Sequence, residues 1–498
     1  MRKIRFNSTL IFIGSLLFWV LSSCADQPTS GPAYLVEDID LPEGLTGEVA
    51  AIDVLPDGRV VAAFMRGEVM VYDPVAKSWH LFASGLHEPL GLMAINEHEI
   101  LVMQLAELTR VKDTDGDNKA DLFETVYDEF GMTGNYHEFT YGPVKDGKGN
   151  LYVALNTSSS GGGVSKELRG NTNPLGKSSD RAMFSTTPYR GWVMKISPKG
   201  KVTPFASGFR SPNGLVMGEA DQLYVTDNQG DWVGSSSLYH VKKDKFYGHP
   251  ASLVWTKGWN MGNPFELPLS TLDSMREKPA VIFPHDVIAN SPSQPVLIKN
   301  HKALMAFQGQ YLVGEMNKPR IVRVMMEQVG DVMQGAVTPF LDQHGLRKGN
   351  NRLAFAPDGS LWIGQSDHGW LGDRGIQRLS FTGNTAFDIQ QMSLLRDGFA
   401  LKFTKPLQGK DPQELLAHIK IKKYRYLYHQ KYGSPMVDVS QVDIHEMDLS
   451  TGNKVLTLNL GEMSKGFVYE VQLDSIFSKN SVDTMTSKVI AYTLKETR

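Results

Sequence analysis

The chain has 498 residues, 41% hydrophobic and 21% charged, with 51 basic and 54 acidic side chains, a net charge of −3 and one cysteine. It is too apolar to be disordered, and near-neutral charge without a basic run interleaved with aromatics excludes nucleic acid as an expected partner. A lone cysteine also excludes an intramolecular disulfide, a cysteine-based zinc site and a CxxCH haem attachment.

In chain order, the first element is a leader. Arg2, Lys3 and Arg5 precede an apolar run at 10–21, interrupted only by Gly14 and Ser15. That run is short for a bilayer span and has the flanks of a secretory signal. Its end, Leu21-Ser22-Ser23-Cys24, resembles the bacterial lipoprotein box. The resemblance implies cleavage after residue 23, acylation of Cys24 and a lipid anchor in a membrane, with 24–34 as a polar tether. Two or more acyl chains hold a protein at a membrane where one does so only marginally. Ala25 carries no inner-membrane retention signal, so the expected place is the cell envelope, at the outer membrane.

The body repeats itself. Segments 57–62, 98–103, 149–154, 221–226, 309–314 and 358–363 each join a turn to a run rich in Val, Leu, Tyr or Trp, and a second alternating run follows each. Phe82-Ala83-Ser84-Gly85-Leu86 recurs as Phe205-Ala206-Ser207-Gly208-Phe209, with a weaker copy from Pro339-Phe340. Six strand pairs predict an all-β fold, a six-bladed β-propeller over 35–382, in which each blade buries its faces against its neighbours. A β-sandwich does not account for six paired segments. From 383 to 498 the pattern changes to short alternating strands such as Ala400-Leu401-Lys402-Phe403-Thr404, which predict an immunoglobulin-like or fibronectin-like β-sandwich serving as a spacer or docking module.

Within the second repeat, 113–124 reads DTDGDNKADLFE. Asp113, Asp115, Asp117, Asp121 and Glu124 fall at the oxygen-ligand positions of a calcium loop, and Lys119 supplies a backbone carbonyl. Five carboxylates within one loop repel each other without a cation, so a structural calcium is the expected occupant.

Polar groups also gather before the innermost strands: His137 with Glu138, Arg210 with Asn213, and Arg347-Lys348 with Arg352. An imidazole among cations suits proton abstraction from an alcohol beside an anionic cofactor. Three stretches carry a family resemblance. They are Asn135-Tyr136-His137 with Tyr141-Gly142-Pro143; Gly208-Phe209-Arg210-Ser211-Pro212-Asn213-Gly214-Leu215 followed by Tyr247-Gly248-His249-Pro250; and Arg352 before Pro357-Asp358-Gly359-Ser360-Leu361-Trp362. In this order they resemble the glucose/sorbosone dehydrogenases, six-bladed propellers that use pyrroloquinoline quinone (PQQ). The resemblance implies His137 as the general base, Arg210, Asn213, Arg352 and Lys348 around the quinone, and a cofactor calcium at the carbonyls near Gly230 and Asp231. Ser211, Asn213 and Asp227 depart from that family's usual residues.

The implied activity is oxidation of a sugar or related alcohol, with electrons leaving to a separate acceptor such as a cytochrome or quinone. A calcium-dependent lactonase remains an alternative, in which Asn213 and Asp227 hold a metal and Glu138 matters more than His137. A lipid-anchored propeller that only binds carbohydrate or protein is the other. Residues 158–190, rich in Gly, Ser and Asn, are expected to cover or reshape the channel mouth.

Overall fold

The computed structural model describes residues 32–164, 169–177, 182–367, 372–409, 412–479 and 485–498. The leader, Cys24, most of the tether, His368 and Trp370 lie outside the described residues. Each pair of segments recognised in the sequence forms the second and third strands of a four-stranded antiparallel blade, which in the fifth blade is part of an eight-stranded sheet. Blade 1, for example, comprises Val49–Val54, Val60–Phe64, Val69–Asp73 and Ser78–Ala83. Blades 2 to 5 follow in order. The sixth contains Asn350–Phe355, Leu361–Gln365 and Gly375–Phe381, and takes its outer strand from the other end of the propeller, Tyr34–Ile39. Tyr34 pairs with Phe381 and Ile39 with Ile376. This closing strand removes the two open edges that an unclosed ring would expose.

The cores lie between blades. Val60, Phe64 and Tyr72 of blade 1 pack with Trp362 and Ile376 of blade 6, so the apolar contact that closes the ring matches those inside it. Near the axis the first strands crowd. A Cβ on Gly91 would lie 1.6 Å from the Gly142 carbonyl oxygen, and one on Gly214 would lie 2.4 Å from Gln294 Cα. Glycine is therefore required where adjacent inner strands meet.

The C-terminal region is a two-sheet antiparallel sandwich. One sheet holds Ile389–Leu395, Gly398–Phe403, Val455–Asn459 and Glu446–Leu449. The other holds Val437–Gln441, Ile419–Arg425, Phe467–Leu473 and Val489–Leu494. The second sheet continues into blade 5, because Ala491 and Thr493 pair with Val337 and Gly335 of its outer strand Val332–Asp342. Pro32–Arg498 is therefore one compact unit, and the module expected from 383 onward shares a sheet with the propeller.

Candidate functional site

The end of the second strand in each blade and the start of the next first strand meet at one mouth of the propeller. Side-chain acceptors at those strand ends shape the loops there. Asp227 accepts the Ser211 and Arg210 amides at 2.7 and 2.9 Å, and Glu315 accepts those of Ser291 and Asn290 at 2.9 and 3.0 Å. Both carboxyls are buried, and burial raises their pKa to about 6 for Asp227 and about 7 for Glu315 despite these bonds. The Asp227 clamp fixes the backbone from which Arg210 projects.

The mouth leads into a cavity of about 550 Å³. Met65, Asn228, Met316 and Ser366, each one residue past a second strand, form part of its wall. Leu90, Tyr141, Asn213 and Asn351, at the starts of first strands, form another part. The 158–190 insertion adds Ser159, Ser160, Ala182 and Met183, so it does border the mouth.

His137 lines this cavity and is buried. Its Nδ1 lies 2.9 Å from the Thr157 carbonyl. A carbonyl only accepts, so Nδ1 carries the hydrogen and Nε2 is left as the ring's one acceptor. The backbone beneath is held by Asn135, which accepts the His137 amide at 3.0 Å and donates to the carbonyls of Ser159 and Gly163. Burial, reinforced by the charge of Arg210, pushes the His137 pKa down to about 4, so the ring is neutral at physiological pH.

Arg210 and Asp231 also line the cavity, as an ion pair with Nε to Oδ1 at 2.8 Å. Asp231 Oδ2 further accepts the Met183 amide at 2.9 Å and pairs with the fully buried His249 at 3.0 Å. Burial opposes ionisation of Asp231, but the charges and hydrogen bonds of His249 and Arg210 outweigh it and hold the carboxyl well below its ordinary range. Gly230 is the gap through which Arg210 passes, since a Cβ there would lie 1.9 Å from Arg210 Nε. The Gly230 carbonyl already accepts the amides of Val233 and Gly433 at 3.2 and 3.0 Å. Of the carbonyls expected to hold a cofactor calcium, that of Gly230 thus has protein partners.

The other cations expected around a quinone lie elsewhere. Arg352 is buried at a void of about 30 Å³ between the inner strands. Its guanidinium donates to the carbonyls of Leu90, Asn213 and Asn351 and lies 4.7 Å from the Tyr141 ring centroid. It ties blades 2, 4 and 6 together across the axis. Lys348 is exposed and does not line the cavity, and its amide donates to Asp373. Asn213 does line the cavity, with its side-chain oxygen turned to Arg352 at 3.3 Å. Among the described lining residues, Arg210 and Lys431 are the cations, and Arg210 is neutralised by Asp231. That donor set does not match a tricarboxylate such as PQQ. The lactonase arrangement is also unsupported. Asp227 is occupied by backbone amides, and Glu138 accepts from Thr133 and Ser158, outside the cavity lining.

Several lining residues had no signal in the sequence. Asn228 Oδ1 is buried without a partner, while its Nδ2 donates to Ser291 at 3.2 Å. Gln430, Lys431 and Tyr432 come from the loop between Ile419–Arg425 and Val437–Gln441 of the C-terminal sandwich. That loop is bound to the propeller by Trp232 N to His429 O at 3.0 Å, Gly433 N to Gly230 O at 3.0 Å and Ser434 N to Gly234 O at 2.8 Å.

The calcium loop joins the third and fourth strands of blade 2. Asp113, Asp115 and Asp117 offer oxygens within 4.8 Å of one another. Asp121 instead accepts the Thr114 amide and hydroxyl at 2.9 and 2.6 Å, and Glu124 pairs with Arg110 at 2.7 Å. The expected five-carboxylate set is thus reduced to three, because Glu124 already belongs to the cross-strand ladder. Asn118 does take the left-handed backbone the loop needs, with φ 68°.

Among solved structures, a protein described as an oxidoreductase (glucose dehydrogenase) from Thermus thermophilus is 17% identical, with a TM-score of 0.49 over 70% of this chain and all of its own. The PQQ-bound aldose sugar dehydrogenase from Streptomyces coelicolor is 16% identical, with a TM-score of 0.44 over 70% of this chain and 99% of its own. The pyranose dehydrogenase PQQ domain from Coprinopsis cinerea is 11% identical, with a TM-score of 0.47 over 70% and 96%. No curated protein sequence matches the chain. Residues 29–366, more than half of the chain, match the family described as a domain of unknown function, DUF7133, and the protein belongs to that family.

Proposed function

We propose that the cavity binds a neutral, hydroxyl-bearing molecule of sugar type and that His137 draws the proton from one of its hydroxyls. The observation that carries this reading is the fixed Nδ1–H of His137 on the Thr157 carbonyl, which leaves a neutral Nε2 acceptor on a ring lining the cavity. The neighbouring amides of Asn213, Asn228 and Asn351 and the hydroxyl of Ser211 suit a ligand that both donates and accepts hydrogen bonds. The unpartnered Asn228 oxygen calls for a donor such as a hydroxyl. Oxidation of that hydroxyl to a carbonyl releases one proton, to Nε2, and one hydride, to a separate two-electron acceptor of the quinone class, which leaves as the quinol. The protein acts at the cell envelope, anchored by lipid on Cys24, and a Cys24→Ala variant found in the soluble fraction supports the anchor.

The test is dye-linked oxidation of an aldose panel by residues 32–498, with and without PQQ and calcium, alongside calorimetric binding. Aldose binding that survives in His137→Gln while turnover is lost supports the reading. Tight binding of PQQ, weakened by Arg210→Ala, in a protein that binds no aldose without it would overturn it in favour of a quinoprotein.

A further inference from the structure

Of the 17 tyrosines in the chain, all within the described residues, only Tyr136 and Tyr432 are exposed, at 61 and 66%. Both line the same cavity. They come from different parts of the chain, Tyr136 from the loop before the first strand of blade 3 and Tyr432 from the sandwich loop. Each stands beside a polar residue of the site. The Tyr136 ring lies edge-on to His137 at 6.1 Å, and the Arg210 guanidinium lies 5.3 Å from the Tyr432 ring centroid.

Scattered single exposed aromatics are ordinary, but two converging on one cavity mouth leave apolar ring faces in water at a cost that a ligand relieves. Such faces, bordered by hydroxyls and amides and with a single unneutralised cation among the described lining residues, do not suit a phosphate-bearing ligand. They suit the C–H face of a sugar ring, whose equatorial hydroxyls point outward to polar neighbours. The two tyrosines are exposed where His137 and Asn213 are buried, so a ring stacked on them lies outward of the one whose hydroxyl reaches Nε2.

We infer that Tyr136 and Tyr432 form an outer sugar subsite, so that the natural ligand is the end of a saccharide chain and the C-terminal sandwich takes part in recognising it. This rests on the sugar-site reading above and names its substrate class. Both tyrosines are exposed, so their replacement leaves the propeller cores untouched. Their contribution is to binding of the chain, whereas His137 acts on the terminal ring.

The experiment is titration calorimetry of residues 32–498 with glucose, galactose and mannose and with α- and β-linked trisaccharides of each. At least one trisaccharide is expected to bind about tenfold or more tightly than its monosaccharide. Tyr136→Ala and Tyr432→Ala should each weaken the trisaccharide about tenfold and the monosaccharide less than about threefold, with Tyr432→Phe close to wild type. His137→Gln should change both affinities by a similar factor and so keep the preference for the trisaccharide. Equal affinity for single sugar and chain, or tyrosine variants that weaken both equally, would overturn the outer subsite and leave the sugar-site reading standing. Absence of binding by every saccharide would overturn both, and chain binding with full turnover in His137→Gln would overturn only the role of His137.

Discussion

His137 is a base by virtue of what surrounds it. Its pKa of about 4, set by burial and then by Arg210, keeps Nε2 unprotonated throughout the neutral range. If Nε2 takes the substrate proton, the acid limb of kcat/KM falls near pH 4, not near the value of about 6.5 for a solvated imidazole. Stability is a poorer readout. Between about pH 4 and 6.5 the unfolded chain binds a proton at His137 that the folded one does not, so this contribution is present above 6.5 and lost as pH falls towards 4. Asp227, raised to about 6, has the opposite sign, because its folded form holds a proton that the unfolded one has released. The two oppose each other in global unfolding, so imidazole nitrogen NMR is the discriminating measurement. It should show a neutral Nδ1–H tautomer at pH 6, and Arg210→Gln should raise the His137 pKa by removing the nearby cation. A cationic ring at pH 6 in the wild type would sink the assignment.

Among the elements, the 113–121 loop is the one whose chemistry is least complete without a ligand. Asp113 is already drawn inward by the Gly116 and Asn118 amides at 2.7 and 3.0 Å and by His98 at 3.1 Å. With Asp115 and Asp117 it offers three carboxylates within 4.8 Å, which favour a divalent cation with oxygen preference. Calcium at about a hundred times its Kd should raise Tm by about 2–3 °C for a unit of this size, reversed by chelator. The double variant Asp115→Asn/Asp117→Asn should show no calcium response, while keeping the His98 contact and the blade. An unchanged calcium response in that variant would assign the effect to another site. Because Glu124 and Asp121 are engaged elsewhere, affinity should fall below that of a loop with five carboxylate ligands.

At the scale of the whole molecule, what could be read in the chain were the interactions made between near neighbours. The six strand pairs were visible because each blade encodes its own turn and period-2 pattern, and the glycines of the inner strands sit where crowding at the axis demands them. Residues 35–39 of the closing strand Tyr34–Ile39 fell inside the expected propeller, but nothing near them announces a partner at Gly375–Phe381. Likewise, residue type marked Arg352 and Lys348 as cations, but only the fold shows one bound by inner-strand carbonyls and the other outside the cavity. Tyr432 was invisible for the same reason, its place being set by pairing of Gly433 with Gly230.

The sandwich is where this long-range dependence is greatest. Its core includes Met325, Val329 and Ala336 of blade 5, and its last strand covers the edge of Val332–Asp342. A chain ended at residue 382 would leave that edge unpaired and those side chains exposed, which is the pattern of an aggregating β-protein. Residues 32–382 should therefore be poorly soluble or melt well below residues 32–498. In a milder variant, residues 430–432 are replaced by Gly-Ser-Gly, which keeps the sandwich strands and the contacts of Tyr428 with Trp232 and Gly248. It should stay monomeric by light scattering and lose only the rim of the cavity. A monomeric 32–382 fragment with the full-length Tm would show that the sandwich is an appendage after all, and that the shared eight-stranded sheet adds nothing to the stability of blade 5.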